Sequence, residues 1–494
     1  MALKAVDEGE FVSENPVQEF ADAVDGAMAP IADFVSSIIF FAPEIFGVQI
    51  PLVVIWLITA AAVLTIYLRF INLTGFGHAL ALVTGRADPS LRSGAGEISH
   101  FQALSSALSG TVGLGNIASV PVAIAVGGPG AVFWMILAGF LGMSSKFAEC
   151  ALAVKYRRVE ADGRIIAGPF FYIEEAFRRI RLAPLGKPAA IFFAIMAMGG
   201  SISLLQVNQS HAQFASVTGI ESPLLFGVVM CALVAAVILG GIKRIGFVSG
   251  ILVPMMGALY LGAGLVIIGL NFDKVPGAFV TIFEGAFGLD AAGGGLLGAL
   301  INGIRRATYS NEAGLGSSAI AHSAVRTAEP MTEGYVASLE PFIDTIIVCT
   351  ITALVVIVTG AYEPYLFQPP DRGIEITSAA FASAFDWFPL LLLVASILFA
   401  FTTLVSWSYY GAQAAAYLFG PSRAVDVTFK LTLCAMLSFG AAISLSSIID
   451  FIDSMLFGMC IPNIIALYVL MPELKRDLAA YNARRRNKAP RPKL

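Results

Sequence analysis

The chain is 494 residues long, 57% hydrophobic and only 13% charged, with a mean hydropathy of +0.81. Soluble domains carry about 25% charged residues, so a water-soluble fold is excluded, and at about 20 apolar residues per span the length allows roughly ten membrane helices. A net charge of -4 without clustered Lys and Arg leaves nucleic acid no face to bind. The cysteines (Cys150, Cys231, Cys349, Cys434, Cys460) sit in apolar runs and the histidines (His78, His100, His211, His322) are scattered, which offers neither a disulfide framework nor a zinc site.

Residues 1–30 carry Asp7, Glu8, Glu10, Glu14, Glu19, Asp22 and Asp25 against Lys4 alone, the reverse of the basic start of a signal peptide. The apolar stretch 31–46 is interrupted by Asp33, Pro43 and Glu44, which fits an interfacial helix better than a span. Runs of spanning length follow at 50–70, 98–125, 129–154, 189–217, 222–240, 245–270, 292–322, 337–360, 387–418, 427–446 and 450–471, eleven in all. Positive charge follows each odd-numbered span: Arg69, Arg86 and Arg92 after the first, a group from Lys155 to Lys187 after the third, Lys243 and Arg244 after the fifth, Arg326 after the seventh, Arg423 and Lys430 after the ninth. The even-numbered connections carry little beyond Lys274 and Arg372. Short basic loops stay on the cytoplasmic side, so the N-terminus is expected outside and the C-terminus inside a plasma (inner) membrane, crossed many times. The expected organisation is an acidic extracytoplasmic segment 1–48 containing the interfacial helix, a transmembrane domain 49–472 and a basic cytoplasmic tail 473–494. That tail reads as a positive-inside signal with an attraction to anionic lipid, not as a binding motif.

Two spans are poor helices in their middles, and in the same way. Ser109-Gly110-Thr111-Val112-Gly113-Leu114-Gly115-Asn116 in the second span matches Ser310-Asn311-Glu312-Ala313-Gly314-Leu315-Gly316-Ser317 in the seventh as S-x-x-x-G-L-G-polar. With the orientation above, the two segments are related by inversion in the membrane. Small residues in membrane helices often serve close packing, but paired, Gly-interrupted helices at inverted positions are the pattern of inverted-repeat secondary transporters, whose helices unwind near the midplane. Glycine lowers the cost of breaking a helix. The break frees backbone groups that lipid cannot satisfy, and a bound ion or zwitterion supplies the missing partners.

Ser109 to Asn116, continuing through Pro121 and the run Gly127 to Met135, resembles the signature region of the alanine or glycine:cation symporter family, the sodium:alanine symporters. Two further blocks agree: Arg306 to Ser318 with Phe342-Ile343-Asp344-Thr345, and Ser406-Trp407-Ser408-Tyr409-Tyr410-Gly411 with Tyr417-Leu418-Phe419-Gly420. The resemblance covers about residues 45–475. It implies an all-α integral membrane fold of about 11 helices, with a leucine-transporter-type core of five plus five inverted helices (repeats about 98–270 and 292–471) and one peripheral N-terminal span. The chain departs from the family pattern at Ser119, Ile136, Ala307 and Tyr309, which bears on pocket size and preferred amino acid.

Sodium is a hard cation, and its site is expected to be built of oxygens. Phe399, Thr402 and Thr403 stand at i, i+3 and i+4, which places one carbonyl and two hydroxyls on one helix face; Thr hydroxyls otherwise bond back to their own helix. The resemblance implies that this face meets the unwound second span, where Ser109 and Val112 offer carbonyls. For an amino-acid substrate, Thr111, Gly113 and Gly115 are candidates to present N–H groups to the carboxylate, and Ser310 and Asn311 to take the amine. Tyr309 and Trp407 are candidate walls, and a bulky Trp407 one turn after Thr403 points to a small substrate. Asn116 and Ser310 match positions that hold a second sodium in related transporters, and the number of ions stays open. Gln206 and Asn208 are weaker pocket candidates.

Charges within spans are costly. Arg305 and Arg306 lie just outside the second break and Glu312 within it, so these three are gate candidates; Glu312 as a partner of an arginine, as a gate or as a partner of the substrate amine are all open. Lys146 and Glu149 read as a structural pair, Asp344 as lying near the cytoplasmic end of its span, and Asp450 and Asp453 near the outer end of theirs. The expectation is a sodium-driven symporter of small neutral amino acids such as alanine or glycine, working by alternating access in a lipid bilayer. Sodium is its coupling ion, and no other cofactor and no obligate protein partner is expected. The rival reading is a proton-coupled transporter using Glu312. An enzyme would need a nucleophile with its base, or metal ligands at depth, and a channel a continuous polar lining; the sequence offers neither.

Overall fold

In a computed structural model, the structure describes residues 33–45, 48–87, 94–159, 165–166, 168–288, 295–367, 373–443 and 445–488, together with Gly26 and Pro30. The apolar stretch at the N-terminus is helical over 33–39 and then turns into a two-residue antiparallel ribbon, Glu44–Ile45 with Val48–Gln49. The helices that follow are α1 (Leu52–Tyr67), α2 (His100–Thr111), α3 (Val120–Gly127), α4 (Ala131–Tyr156), α5 (Pro169–Arg179), α6 (Ala183–Gly200), α7 (Leu204–Thr218) and α8 (Pro223–Ile238). Then come α9 (Gly241–Leu270), α10 (Val275–Phe287), α11 (Gly295–Asn311), α12 (Pro330–Thr359), α13 (Gly373–Ala382), α14 (Phe388–Phe419), α15 (Arg423–Phe439) and α16 (Leu445–Lys488).

Local chemistry sets many of the ends. Ser99 and Gln102 form a reciprocal capping box at the start of α2. Proline in the first turn opens α5, α8 and α12, and left-handed Gly219 and Gly360 close α7 and α12. Among the described residues six helices are long and apolar enough to cross a membrane, or seven if the bent pair around residue 112 is one span, and α1 and α8 are shorter apolar helices. The chain is a multi-pass membrane protein.

Several expected spans are revised. The second is two helical pieces bent by 48°. The fourth is α6 and α7 meeting at Ser201–Ser203. The seventh stops at Asn311 and resumes only as the short turn Ala319–His322. The eighth starts seven residues early, at Pro330 rather than 337, and is π-helical over Phe342–Cys349. Helix α16 passes straight through residue 472, where hydropathy had put the start of the tail. The supposed loops after the third, sixth and eighth spans contain α5, α10 and α13.

Helix α2 packs on α9 and α14, while α4 packs on α1, α11 and the first part of α12. The segment entering α2 is joined to the segment leaving the second break by a parallel bridge, Ile98 with Val325. Glu97 N donates to Ala324 O (2.8 Å) and Arg326 N to Ile98 O (2.8 Å). Gly96 has φ +146, and a Cβ there would lie 2.2 Å from Val325 O, so the two backbones meet at a distance only glycine allows. Arg157 closes the joint from the end of α4: its guanidinium donates to the carbonyls of Ser323 (2.7 Å), Val325 (2.7 Å), Thr327 (2.8 Å) and Ala95 (2.5 Å).

Candidate functional site

At the first break the helix stops because its own side chains and a neighbour take the backbone. Val112 is extended (φ -77, ψ 93). Gly113 N donates to Asn116 Oδ1 (2.9 Å) and Leu114 N to Gln206 Oε1 (3.1 Å); in a continuous helix these two N–H groups would go to the carbonyls of Ser109 and Gly110. Asn116 N turns to Gly113 O (3.1 Å) and so leaves the carbonyl of Val112. The chain then restarts as a π-helix over Gly115–Ser119, a form found mainly at functional sites.

The second break follows the same plan with different parts. Glu312 is left-handed (φ 55), as are Gly314 (φ 89) and Gly316 (φ 83). Ala313 N donates to Asn311 Oδ1 (2.9 Å) and Leu315 N to Glu312 O (3.2 Å), which leaves the carbonyls of Tyr309 and Asn311 without their helical donors. Glu312 itself bonds to Ser317 and accepts from Trp407 Nε1 (3.1 Å).

A polar network ties the two breaks together. Asn116 Nδ2 donates to Ser310 Oγ (2.9 Å) and to Asp344 Oδ1 (2.7 Å). Ser310 Oγ (2.7 Å) and Thr345 Oγ1 (2.8 Å) donate to Asp344 Oδ2, and Asn311 Nδ2 donates to Thr345 Oγ1 (2.9 Å). Asp344 is fully buried, and its carboxylate hydrogen-bonds to neutral donors only.

The Phe399, Thr402 and Thr403 face lies against the first break. Ser109 Oγ donates to Thr402 O (2.9 Å) and shares a 2.5 Å contact with Ser406 Oγ, which is also bonded to Ser106 O (2.7 Å). Thr403 Oγ1 is buried without a hydrogen-bond partner, and a Cβ on Gly113 would lie 2.6 Å from it. Glycine is what lets the break sit against that hydroxyl. Thr402 differs from its neighbour: its hydroxyl donates back to Leu398 O (3.0 Å) and Phe399 O (3.1 Å).

The other candidates separate clearly. Tyr309 lies over Gly115, whose Cβ would be 3.2 Å from the ring. Trp407 is 4% exposed and stands edge-on to Tyr410 at 5.2 Å. Gln206 belongs to the first break; Asn208, two residues on, donates to Ile443 O (2.8 Å) and turns away from it. Thr111 is the last residue of α2, where even the next N–H, that of Val112, still goes to Leu108 O, and the Gly113 N–H is held by Asn116, so neither of these is free for a carboxylate. The side-chain oxygens of Ser310 and Asn311 are likewise engaged, and the freed carbonyls beside them are the better amine partners.

The charged residues need the largest corrections. Glu312 pairs with neither arginine. Arg305 (2.7 Å) and Arg306 (3.5 Å) both reach Asp453 on α16. Lys146 and Glu149 do not pair with each other: Lys146 binds Glu340 (2.9 Å) and Ser318, while Glu149 accepts from Asn463 (2.8 Å). Asp344 is at the breaks, not at a cytoplasmic end. Two of the scattered histidines meet in space, where Glu333 bridges His100 (2.5 Å) and His322 (2.5 Å), and His322 continues to Glu340. The sequence signals for Asp344 and Thr345 are a polar pair inside an otherwise apolar run after Pro341 and their place in the Phe342-Ile343-Asp344-Thr345 block, neither of which gave their depth.

A family model described as the sodium:alanine symporter family matches residues 32–493. The sodium/alanine symporter AgcS of Methanococcus maripaludis is 36% identical over 458 residues, 92% of this chain and 99% of that protein. A probable sodium/glutamine symporter, GlnT of Bacillus subtilis, is 31% identical over 79% of this chain and 80% of its own length. The crystal structure of MhsT in complex with L-phenylalanine superposes with a TM-score of 0.53 at 17% identity, covering 75% of this chain and 88% of MhsT, a likeness of fold alone.

Proposed function

This chain belongs to the sodium:alanine symporter family, membrane transporters and not enzymes, and on that premise we propose that it couples inward sodium flow to the uptake of small neutral amino acids, alanine or glycine. The observation that carries this reading is the unpartnered Thr403 hydroxyl beside a break whose Ser109 and Val112 carbonyls have lost their helical donors. With Phe399 O and Thr402 Oγ1 these are neutral oxygens, the donor set a hard monovalent cation takes in exchange for water. The substrate carboxylate is placed at the restart of the first break around Gly115, the amine at the carbonyls of Tyr309 and Asn311, and the side chain against Trp407. Because Glu312 fixes the indole from behind, the wall is rigid and favours a small side chain. Trp407→Ala is expected to admit larger amino acids in competition assays, and unchanged selectivity would remove Trp407 from the pocket.

The proposal includes eleven spans, an outside N-terminus and a cytoplasmic C-terminus, supported by the placement of basic loops. Ion and substrate share one break, so each orders backbone the other needs, and their affinities are linked reciprocally. Proton coupling is a second reading, at Glu312 or Asp344, both buried carboxylates that hydrogen-bond to neutral donors only.

The test is uptake of labelled alanine into liposomes containing the purified chain, under an inward sodium gradient, a proton gradient, or potassium alone. Uptake that requires sodium supports the proposal. Uptake driven by protons alone moves the coupling site to the buried carboxylates Glu312 and Asp344, and no alanine uptake under any gradient overturns the substrate.

A further inference from the structure

Where α1 ends, the chain takes two left-handed residues in a row, Arg69 (φ 58) and Phe70 (φ 56). Non-glycine residues in this region cost about 1–3 kcal/mol each, and the turn does something specific. It sends Phe70 outward, 45% exposed, between the exposed side chains of Ile66 (66%) and Leu73 (62%). It also brings Arg69 into the lining of a cavity of about 540 Å³ between the end of α1, the turn Ile71–Thr74 and the C-terminal part of α16.

The cavity lining contains four cations, Arg69, Lys475, Arg485 and Arg486, and no carboxylate. None of the four forms an ion pair among the described residues, although acids stand nearby. Glu473 and Asp477 on the same helix are committed to Lys155, and Glu329 to Arg484 (2.7 Å). Lys475 is held at the cavity by the ring of Tyr67, 4.2 Å from Nζ to the centroid. Tyr335 donates to Asn482 Oδ1 (3.0 Å) and fixes another part of the lining.

We propose that this cavity binds the phosphate headgroup of an anionic phospholipid, with its acyl chains lying along Ile66, Phe70 and Leu73. Guanidinium groups match phosphate oxygens in paired hydrogen bonds, and basic pockets between helices on the cytoplasmic side of a membrane are suited to such headgroups. The apolar ledge beside the cavity distinguishes a lipid from a soluble phosphate, which would have no use for it. The bound lipid would add a link between the end of α1, α16 and Tyr335 on α12, beside the Tyr67–Lys475 and Tyr335–Asn482 contacts. The proposal uses the orientation given above only to name the leaflet, and its readout is binding, so it stands or falls separately from transport.

The experiment is native mass spectrometry of the purified full chain with phosphatidylglycerol or phosphatidylcholine added. Phosphatidylglycerol should be retained with at least about a tenfold preference. Arg485→Gln with Arg486→Gln, both exposed and outside the packed core, should weaken that preference by roughly fivefold per cation removed. Lys243→Gln with Arg244→Gln, the same charge change at exposed positions in the first turn of α9, outside the cavity lining, should leave it intact, and Arg69→Gln repeats the test from the other side of the cavity. Equal losses in the distant and the cavity variants, or no headgroup preference in the unmodified chain, would overturn the proposal. So would displacement of the lipid by millimolar inorganic phosphate, which would make this a soluble-anion site.

Discussion

The two ends of α2 are held in opposite ways. Its first residue, His100, is tied through Glu333 to His322, and the backbone just before it is bridged to Val325 and clamped by Arg157. Its last turn meets α14 through hydroxyls alone: Ser109 with Thr402 O and Ser406, and Ser406 with Ser106 O. Removing one partner of a buried ion pair costs about 3–5 kcal/mol because a charge is left uncompensated. A neutral hydrogen bond is worth about 0.5–1.5 kcal/mol net. The charged end therefore joins the start of α2 and the segment after the second break, with α4 and α12, into one body, while the hydroxyl end is a seam at which that body can shift against α14 and α9.

The largest test is to lock the charged-end body to α9 at the first turn of α2 and, separately, to lock the bridge within that body. A Cβ on Gly246 would lie 3.3 Å from Gln102 Cβ, close to the roughly 3.8 Å of a disulfide. Gln102→Cys with Gly246→Cys, in a background with the five native cysteines changed to alanine, should abolish uptake when oxidised and restore it when reduced. The bridge pair Ile98→Cys with Val325→Cys should carry substrate equally well in both forms. If locking the bridge also stops uptake, the two segments separate during transport and the one-body description fails. Next in size, Glu333→Gln leaves two buried histidines without their shared carboxylate and should lower stability by about 3–5 kcal/mol in thermal unfolding of the detergent-solubilised chain; an unshifted melt would mean that the charged end carries no load. Thr403→Ala should raise the sodium concentration for half-maximal uptake by roughly tenfold, about 1.4 kcal/mol, and more than it changes that for alanine. Thr402→Ala should do less, since that hydroxyl serves its own helix, and equal effects would erase the distinction between the two. The smallest effect belongs to the seam: Ser406→Ala should cost about 1 kcal/mol or less, and a loss as large as that of Glu333→Gln would show that hydroxyls and charges are not playing different parts.

The breaks were legible in the sequence because they are made by local chemistry. Glycines and short polar side chains at fixed spacing interrupt a helix wherever it lies, and Asn116 and Asn311 each cap their own break. Thr403 and Trp407 stood out for a related reason, as polar or bulky groups in an otherwise apolar helix, whereas Gln206 was only a weaker candidate among the many polar residues of α7. Depth was not legible. Counting basic loops says which side a helix end faces, but α12 begins at Pro330 and winds as a π-helix, which carries Asp344 to the centre. Pairing was also hidden: the i, i+3 spacing of Lys146 and Glu149 is real, yet each finds its partner on another helix. Glu312 and the two arginines are neighbours in sequence whose side chains leave the break in different directions, toward Trp407 and Asp453.

Helix α16 spans 44 residues without interruption despite Pro462 and Pro472. At about 1.5 Å per residue it is about 66 Å long, about twice a hydrocarbon layer of about 30 Å, so its last turns extend beyond the lipid, held rigid against the protein by buried Leu474, Leu478 and Tyr481. A folded protein fused in helical register to its exposed C-terminal end would inherit that rigidity and give the molecule a visible mark for aligning single particles by electron microscopy.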